Sequence, residues 1–140
     1  MDTTTTAPAF PDLRGVTILV VEDDADTAEL IVMALRKCNA TVSIVSLVRD
    51  ARALLGELRP HVIVCDLALP GEDGIAFAAW VRREPRDRGG NTAMIAYTAY
   101  DTYFRQAVSA HGGFAAIVKK PSDPTYLCRV VADVIKGPAR

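Results

Sequence analysis

Acidic residues stand at the ends of two apolar segments of the chain. Glu22 and Asp23 follow the apolar segment 16–21, and Asp66 follows the apolar segment 62–65. Carboxylates that are brought together repel each other, and burying them is costly unless a cation joins them. The pattern therefore predicts a divalent-metal pocket at one edge of a sheet, where the ends of the two segments meet.

A pair of lysines follows a third apolar segment, 114–118. Lys119 and Lys120 both offer an ammonium group that would neutralise part of the carboxylate charge. Because neighbouring residues on a strand face opposite sides, only one of the two can point into the pocket. Their spacing alone leaves open which one does.

Length and composition exclude several classes of protein. The chain has 140 residues, half of them hydrophobic, which is enough for one domain with a core. Its formal net charge of −1 provides no basic face for nucleic acid or an anionic membrane. No apolar run approaches the ~18 residues of a membrane span, and no signal peptide is evident. We expect a cytoplasmic protein without direct nucleic-acid binding or membrane insertion.

The three cysteines form no recognisable metal or redox motif. Cys38, Cys65 and Cys128 are far apart, odd in number and lack CxxC spacing. We expect them to be reduced thiols in the core.

Strand and helix signals alternate along most of the chain. Residues 1–12 are rich in Thr and Pro and predict a flexible tail, followed by one domain over 13–137 and no output domain. Apolar runs predict strands at 16–21, 41–45, 61–65, 93–97 and 114–118. Helical spacing and turn residues predict helices at 25–37, at 47–58, from Gly74 to Pro85, for about ten residues from Thr102, and from Pro124 to Gly137.

This alternation indicates an α/β fold, a doubly wound five-stranded parallel sheet with helices on both faces. Such sheets bind ligands at the carboxyl ends of the strands, where the strand order reverses. In a flavodoxin-like order 2-1-3-4-5 the reversal lies between the first and third strands, which end in Glu22-Asp23 and Asp66. For Asp24 and Asp26 we favour a simpler role, in which one of them is the helix N-cap.

Four strings in the chain resemble the signature segments of response-regulator receiver domains from two-component signalling, in the same order and spacing over about residues 14–136. They are ILVVEDD (18–24), CDLALPGEDG (65–74), IAYTAY (95–100) and GFAAIVKKPSDP (113–124). The resemblance implies that Asp66 is the phosphoacceptor, Glu22 and Asp23 the acidic pair, Thr98 the hydroxyl residue and Lys120 the pocket lysine. Without it, Thr98 would be interpreted as an ordinary strand-end residue.

A phosphoacceptor of this family implies a metal and protein partners. The resemblance implies that Mg²⁺ is bound by Asp23, Asp66 and the backbone carbonyl of Ala68, with Glu22 acting through water. The phosphoryl group would come from a histidine kinase or histidine phosphotransfer protein, docking on the helix after the acidic pair. We expect a signalling phosphoacceptor that assists its own phosphorylation and dephosphorylation, not an enzyme, with output through a downstream protein partner.

Two other classes remain open. A scaffolding pseudo-receiver is one, although such domains typically lose pocket residues. An aspartyl-phosphate phosphatase of the haloacid-dehalogenase type is the other, but it needs a second Asp two positions after the nucleophile, where this chain has Ala68. One departure from the receiver pattern is Ile117, where the family usually has Tyr or Phe.

Overall fold

Five parallel strands form the central layer of the computed structural model, which describes residues 10–72, 74–99, 113–120 and 122–137. Their order is β2-β1-β3-β4-β5, as predicted. The strands are β1 (Thr17–Val21), β2 (Thr41–Val45), β3 (Val62–Cys65), β4 (Ala93–Thr98) and β5 (Ala116–Lys119).

Four of the five predicted helices are confirmed. They are α1 (Ala25–Lys37), α2 (Val48–Leu58), α3 (Gly74–Arg83) and α4 (Pro124–Lys136), with a short 3₁₀ turn at Arg86–Arg88. The helix predicted from Thr102 lies outside the described residues, as do residues 1–9 of the predicted tail. None of the helices in the described ranges is long and apolar enough to cross a membrane.

Two aspartates set the starts of α1 and α4. The Asp24 carboxylate accepts a hydrogen bond from the Thr27 backbone N–H (2.9 Å), which confirms its predicted role as N-cap. Asp123 accepts in the same way from the Thr125 N–H (3.0 Å). Pro124 occupies the first turn of α4, where its missing N–H costs nothing.

The sheet is covered on both faces, so each strand alternates between two cores. On one face, strand residues such as Val20 and Val64 pack with α1 and α4. On the other face, residues such as Leu19 and Ile63 pack with α2 and α3. Burial on both faces explains why β1 and β3 are continuous apolar runs.

The edge strand β2 is half exposed, and two of its apolar residues, Val42 and Ile44, differ in burial. Val42 is buried, whereas Ile44 is 43% exposed. Both face α1, where Ala25 and Ala28 beside Ile44 are too small to cover it, and a groove remains. Two residues on the same face of this edge strand are therefore buried to different extents.

Two predicted strands end later than the sequence indicates. The predicted strand 93–97 extends through Thr98, and the predicted strand 114–118 lies instead at Ala116–Lys119. The shift follows from pairing, because Ala116 and Lys119 lie opposite Ile95 and Thr98 in the register. The pairing partner, rather than the apolar run, sets the bounds of β5.

All three cysteines are buried free thiols, as expected. Cys38 and Cys128 lie in the core beneath α1 and α4, and Cys65 lies in the opposite core. Burial, together with a smaller contribution from its neighbour Cys38, raises the pKa of the Cys128 thiol to about 12. A thiol with so high a pKa is unreactive near neutral pH.

Candidate functional site

The register of the sheet brings the two acidic segments together. Val21 at the end of β1 lies opposite Cys65 at the end of β3, so the next residues, Glu22 and Asp66, leave the sheet side by side. The Asp66 N–H donates to the Val21 carbonyl (3.0 Å), which continues the parallel ladder by one residue. The strand-order reversal predicted for this edge is therefore where the carboxylates meet.

Three carboxylates converge at this edge. Oxygen atoms of Glu22, Asp23 and Asp66 all lie within 4.8 Å of one another, the kind of grouping that could hold a metal ion. Glu22 is 3% exposed and Asp66 is 7% exposed, whereas Asp23 is exposed to solvent. Burying like charges at this distance is unfavourable without a cation between them.

Lys120 is the lysine that enters the site. Its Nζ lies 2.7 Å from Glu22 Oε1 and 3.3 Å from Asp66 Oδ2, and the side chain is only 16% exposed. Lys119, the last residue of β5, is exposed. The structure therefore makes the choice between the two lysines that their spacing left open.

Burial and neighbouring charges shift the pKa values of Glu22 and Lys120. Burial raises the pKa of the Glu22 carboxyl, and the Asp66 charge adds to this effect, while hydrogen bonds from Lys120 and the Asp24 N–H oppose it. Burial alone would lower the pKa of Lys120, but the hydrogen bond to Glu22 and the charges of both carboxylates outweigh it and raise that pKa. Lys120 therefore stays charged, and its charge is committed to Glu22 and Asp66.

The loop after Asp66 orients its carboxylate. Asp66 Oδ1 accepts a hydrogen bond from the Ala68 N–H (3.1 Å), and the Gly74 N–H donates to the Leu67 carbonyl (2.8 Å). A Cβ atom at position 74 would lie 2.6 Å from the Asp66 carbonyl oxygen and 2.9 Å from Leu67 Cα. Helix α3 thus starts directly against the backbone of the carboxylate residue, which only glycine allows.

Gly74→Ala is therefore expected to destabilise the protein by about 1–3 kcal/mol, because backbone atoms must move to admit the methyl group. Urea unfolding measures this change. Gly56→Ala is the matched control, since a Cβ at that position on α2 meets no atom of the described residues within 4 Å. It should be neutral or stabilising by up to about 1 kcal/mol. Equal stability of Gly74→Ala and wild type would contradict this account of the α3 start.

Thr98 and Tyr97 complete the edge. Thr98 is fully buried at the end of β4, and its carbonyl accepts from the Lys120 N–H (2.7 Å). Lys120 Nζ also lies 5.3 Å from the centroid of the Tyr97 ring, a cation–π contact that the sequence analysis missed. The spacing of residues in the sequence does not indicate that a tyrosine one position before the end of β4 would contact a lysine that follows β5. Ile117, where the receiver family usually has Tyr or Phe, is partly buried against Leu67 and Ala96.

The chain is similar in sequence to known proteins. A family model described as "Response regulator receiver domain" matches residues 18–132. An uncharacterized 14.6 kDa protein from Leptolyngbya boryana is 34% identical over 119 residues, which cover 85% of this chain and 89% of that protein. The DNA-binding response regulator MtrA of Mycobacterium tuberculosis is 28% identical over 110 residues, or 79% of this chain but 46% of that longer protein.

Solved structures agree with the sequence comparisons. The receiver domain of sensor histidine kinase PA1611 from Pseudomonas aeruginosa PAO1 has a TM-score of 0.78 and 26% identity, with 88% of this chain and 99% of that chain covered. Its structure holds a magnesium ion coordinated in the active site cleft. A sensor protein from Polaromonas has a TM-score of 0.80 at 24% identity, covering 89% of this chain and 99% of that chain. Because the family model matches residues 18–132, most of its length, the chain belongs to the response regulator receiver domain family.

Proposed function

We propose that this protein accepts a phosphoryl group on the carboxylate of Asp66. The observation that carries the proposal is the position of Asp66, which is buried at the end of a central strand beside Glu22 and contacts Lys120. In the reaction one Asp66 oxygen forms a bond to phosphorus, and the bond from phosphorus to the donor atom breaks with its electron pair leaving on the donor. With a phosphohistidine donor, the broken bond is phosphorus–nitrogen.

The donor atoms of the site fit Mg²⁺. They are carboxylate oxygens, which this hard cation prefers, and the three carboxylates outnumber the single ammonium of Lys120. Asp23, Asp66 and the backbone carbonyl of Ala68 would hold the ion, with Glu22 acting through water. Bound Mg²⁺ would neutralise charge on the oxygens of the transferring phosphoryl group.

Residues of the chain would orient the nucleophile and stabilise the negative charge on the phosphoryl oxygens. Because a carboxylate is a weak nucleophile, the rate depends on its orientation, which the Ala68 N–H provides through Asp66 Oδ1. Lys120 would pair with a phosphoryl oxygen once Asp66 loses its own negative charge. Thr98, at the end of the adjacent strand, would donate a hydrogen bond to another oxygen.

The phosphodonor would be a histidine kinase or histidine phosphotransfer protein, and the signal would pass to a downstream protein. Helix α1 begins just after the acidic pair and exposes Leu30 and Met33, which are 58% and 55% exposed. We assign the donor to this surface. The receiver unit would span 13–137, since Leu13 is buried and α4 ends against Gly137.

Incubation with Mg²⁺ and acetyl phosphate tests this function. The expected result is a mass gain of one phosphoryl group that requires Mg²⁺ and is lost on treatment with acid, base or hydroxylamine, as an acyl phosphate is. Labelling that is equal without divalent metal, or that survives hydroxylamine, would refute the proposal. A phosphatase would instead hydrolyse a phosphate ester such as p-nitrophenyl phosphate over many turnovers, and a pseudo-receiver would gain no mass.

A further inference from the structure

An arginine on α2 contacts the loop that follows Asp66. Arg52 forms a salt bridge with Glu72, and the two side chains are only 33% and 29% exposed. Glu72 lies in the segment 67–72, the same segment whose Ala68 N–H holds Asp66 Oδ1. Leu67 and Leu69 are buried and anchor the first part of the segment in the core, whereas the salt bridge of Glu72 joins its less buried end, 70–72, to α2.

The arginine is itself fixed by aromatic packing. Its Cζ atom lies 5.4 Å from the centroid of the Trp80 ring on α3, a cation–π distance. Trp80 stacks with the buried Phe77, with centroids 6.2 Å apart and planes inclined by 15°. The guanidinium group is therefore held in place as a partner for Glu72. Contacts of Phe77 with Trp80, of Trp80 with Arg52 and of Arg52 with Glu72 connect the core to the loop.

Stability alone does not account for this contact. Arg52 Nε is buried and meets no acceptor within the described residues, which is a cost for a charged group. A partly buried ion pair contributes little net stability once desolvation is counted. Its clearer physical consequence is to restrict the positions that the segment 67–72 can adopt.

We propose that Arg52 and Glu72 are positioning residues for the acceptor site, an inference that rests on the proposed function. By holding the end of the segment at Glu72, the pair limits movement of the exposed residues 70–71 and thereby helps to keep the Ala68 carbonyl and N–H where the metal and Asp66 require them. Groups that orient metal ligands without touching the metal affect metal affinity by about tenfold or more. Arg52 and Glu72 act one step further away, through the backbone of the loop.

The test uses Arg52→Met, Glu72→Gln, the double variant and Arg83→Met as a control on an exposed arginine of α3. Amide exchange of 67–72 is measured in the metal-free protein, and Mg²⁺ affinity is measured by calorimetry. Each single variant should exchange faster in this segment and lose about threefold to tenfold in Mg²⁺ affinity. The double variant should lose no more than the larger single loss, because both changes remove one interaction.

The outcomes separate this inference from the proposed function. Wild-type exchange and affinity in both single variants, additive losses in the double variant, or an equal loss in Arg83→Met would overturn the positioning role. Wild-type protein that takes up no phosphoryl group would instead refute the acceptor function, while the exchange comparison still decides whether the pair holds the loop. Glu72→Gln keeps the shape of the side chain, so the test stands even where Arg52→Met folds poorly.

Discussion

Asp66→Asn is expected to abolish phosphorylation of the protein by acetyl phosphate. The amide has nearly the same shape as the carboxylate and can still accept the hydrogen bond from the Ala68 N–H, but it is not a nucleophile. Intact mass after incubation with Mg²⁺ should show one phosphoryl group on wild type and none on the variant. The loss is complete because the neighbouring carboxylates lack the position of Asp66 at the end of β3.

The controls separate loss of the nucleophile from loss of the fold. Asp133→Asn, which changes an exposed aspartate on α4, should be labelled like wild type. In metal-free buffer Asp66→Asn should be at least as stable as wild type in urea, because it removes one of the converging negative charges. Full labelling of Asp66→Asn would assign the nucleophile to another carboxylate.

Lys120→Met is expected to lower the free energy of unfolding by about 3 kcal/mol at pH 7 without divalent metal, since it leaves a buried carboxylate pair without its cation. The exposed neighbour provides the control, and Lys119→Met should change stability by less than about 0.5 kcal/mol. Urea unfolding at several pH values measures both. Equal costs for the two lysines would show that the ammonium of Lys120 does not stabilise the carboxylates.

The pH dependence of this difference follows from Glu22. The folded-state pKa of Glu22 already lies above its ordinary value of 4.5, and losing Lys120 raises it further. The protonated form then favours folding, so the deficit of Lys120→Met is largest at pH 7 and shrinks as pH falls through the raised pKa. For wild type, the raised pKa of Lys120 means that its contribution is complete below the ordinary value of 10.5 and is lost at higher pH.

Added Mg²⁺ should restore part of the stability of Lys120→Met. A cation that binds only the folded state stabilises it in proportion to the logarithm of its concentration. The gain should be larger in Lys120→Met than in wild type, because only in the variant does the metal replace a missing positive charge; a deficit from lost packing would give equal gains. A gain in Lys120→Met that is no larger than the gain in wild type would contradict the charge argument.

The sequence by itself determined the layers of the fold and the edge that carries the site. Alternating strand and helix signals lead to a parallel sheet covered on both faces, because crossovers between parallel strands place helices there. A parallel sheet aligns the carboxyl ends of its strands, so Glu22, Asp66 and a lysine after β5 had to meet at one edge. These conclusions need only the local pattern and the general rules of strand connection.

Only the tertiary structure decided how the charges at that edge are shared. Glu22 is buried against Lys120 while the adjacent Asp23 is exposed, a difference that composition does not contain. The ring of Tyr97 beneath Lys120, and the contact of Arg52 with Glu72 across 20 residues of chain, likewise depend on where separate elements pack. Periodicity reports which face of an element a side chain occupies, whereas ion pairs depend on the distances between elements, which packing alone sets.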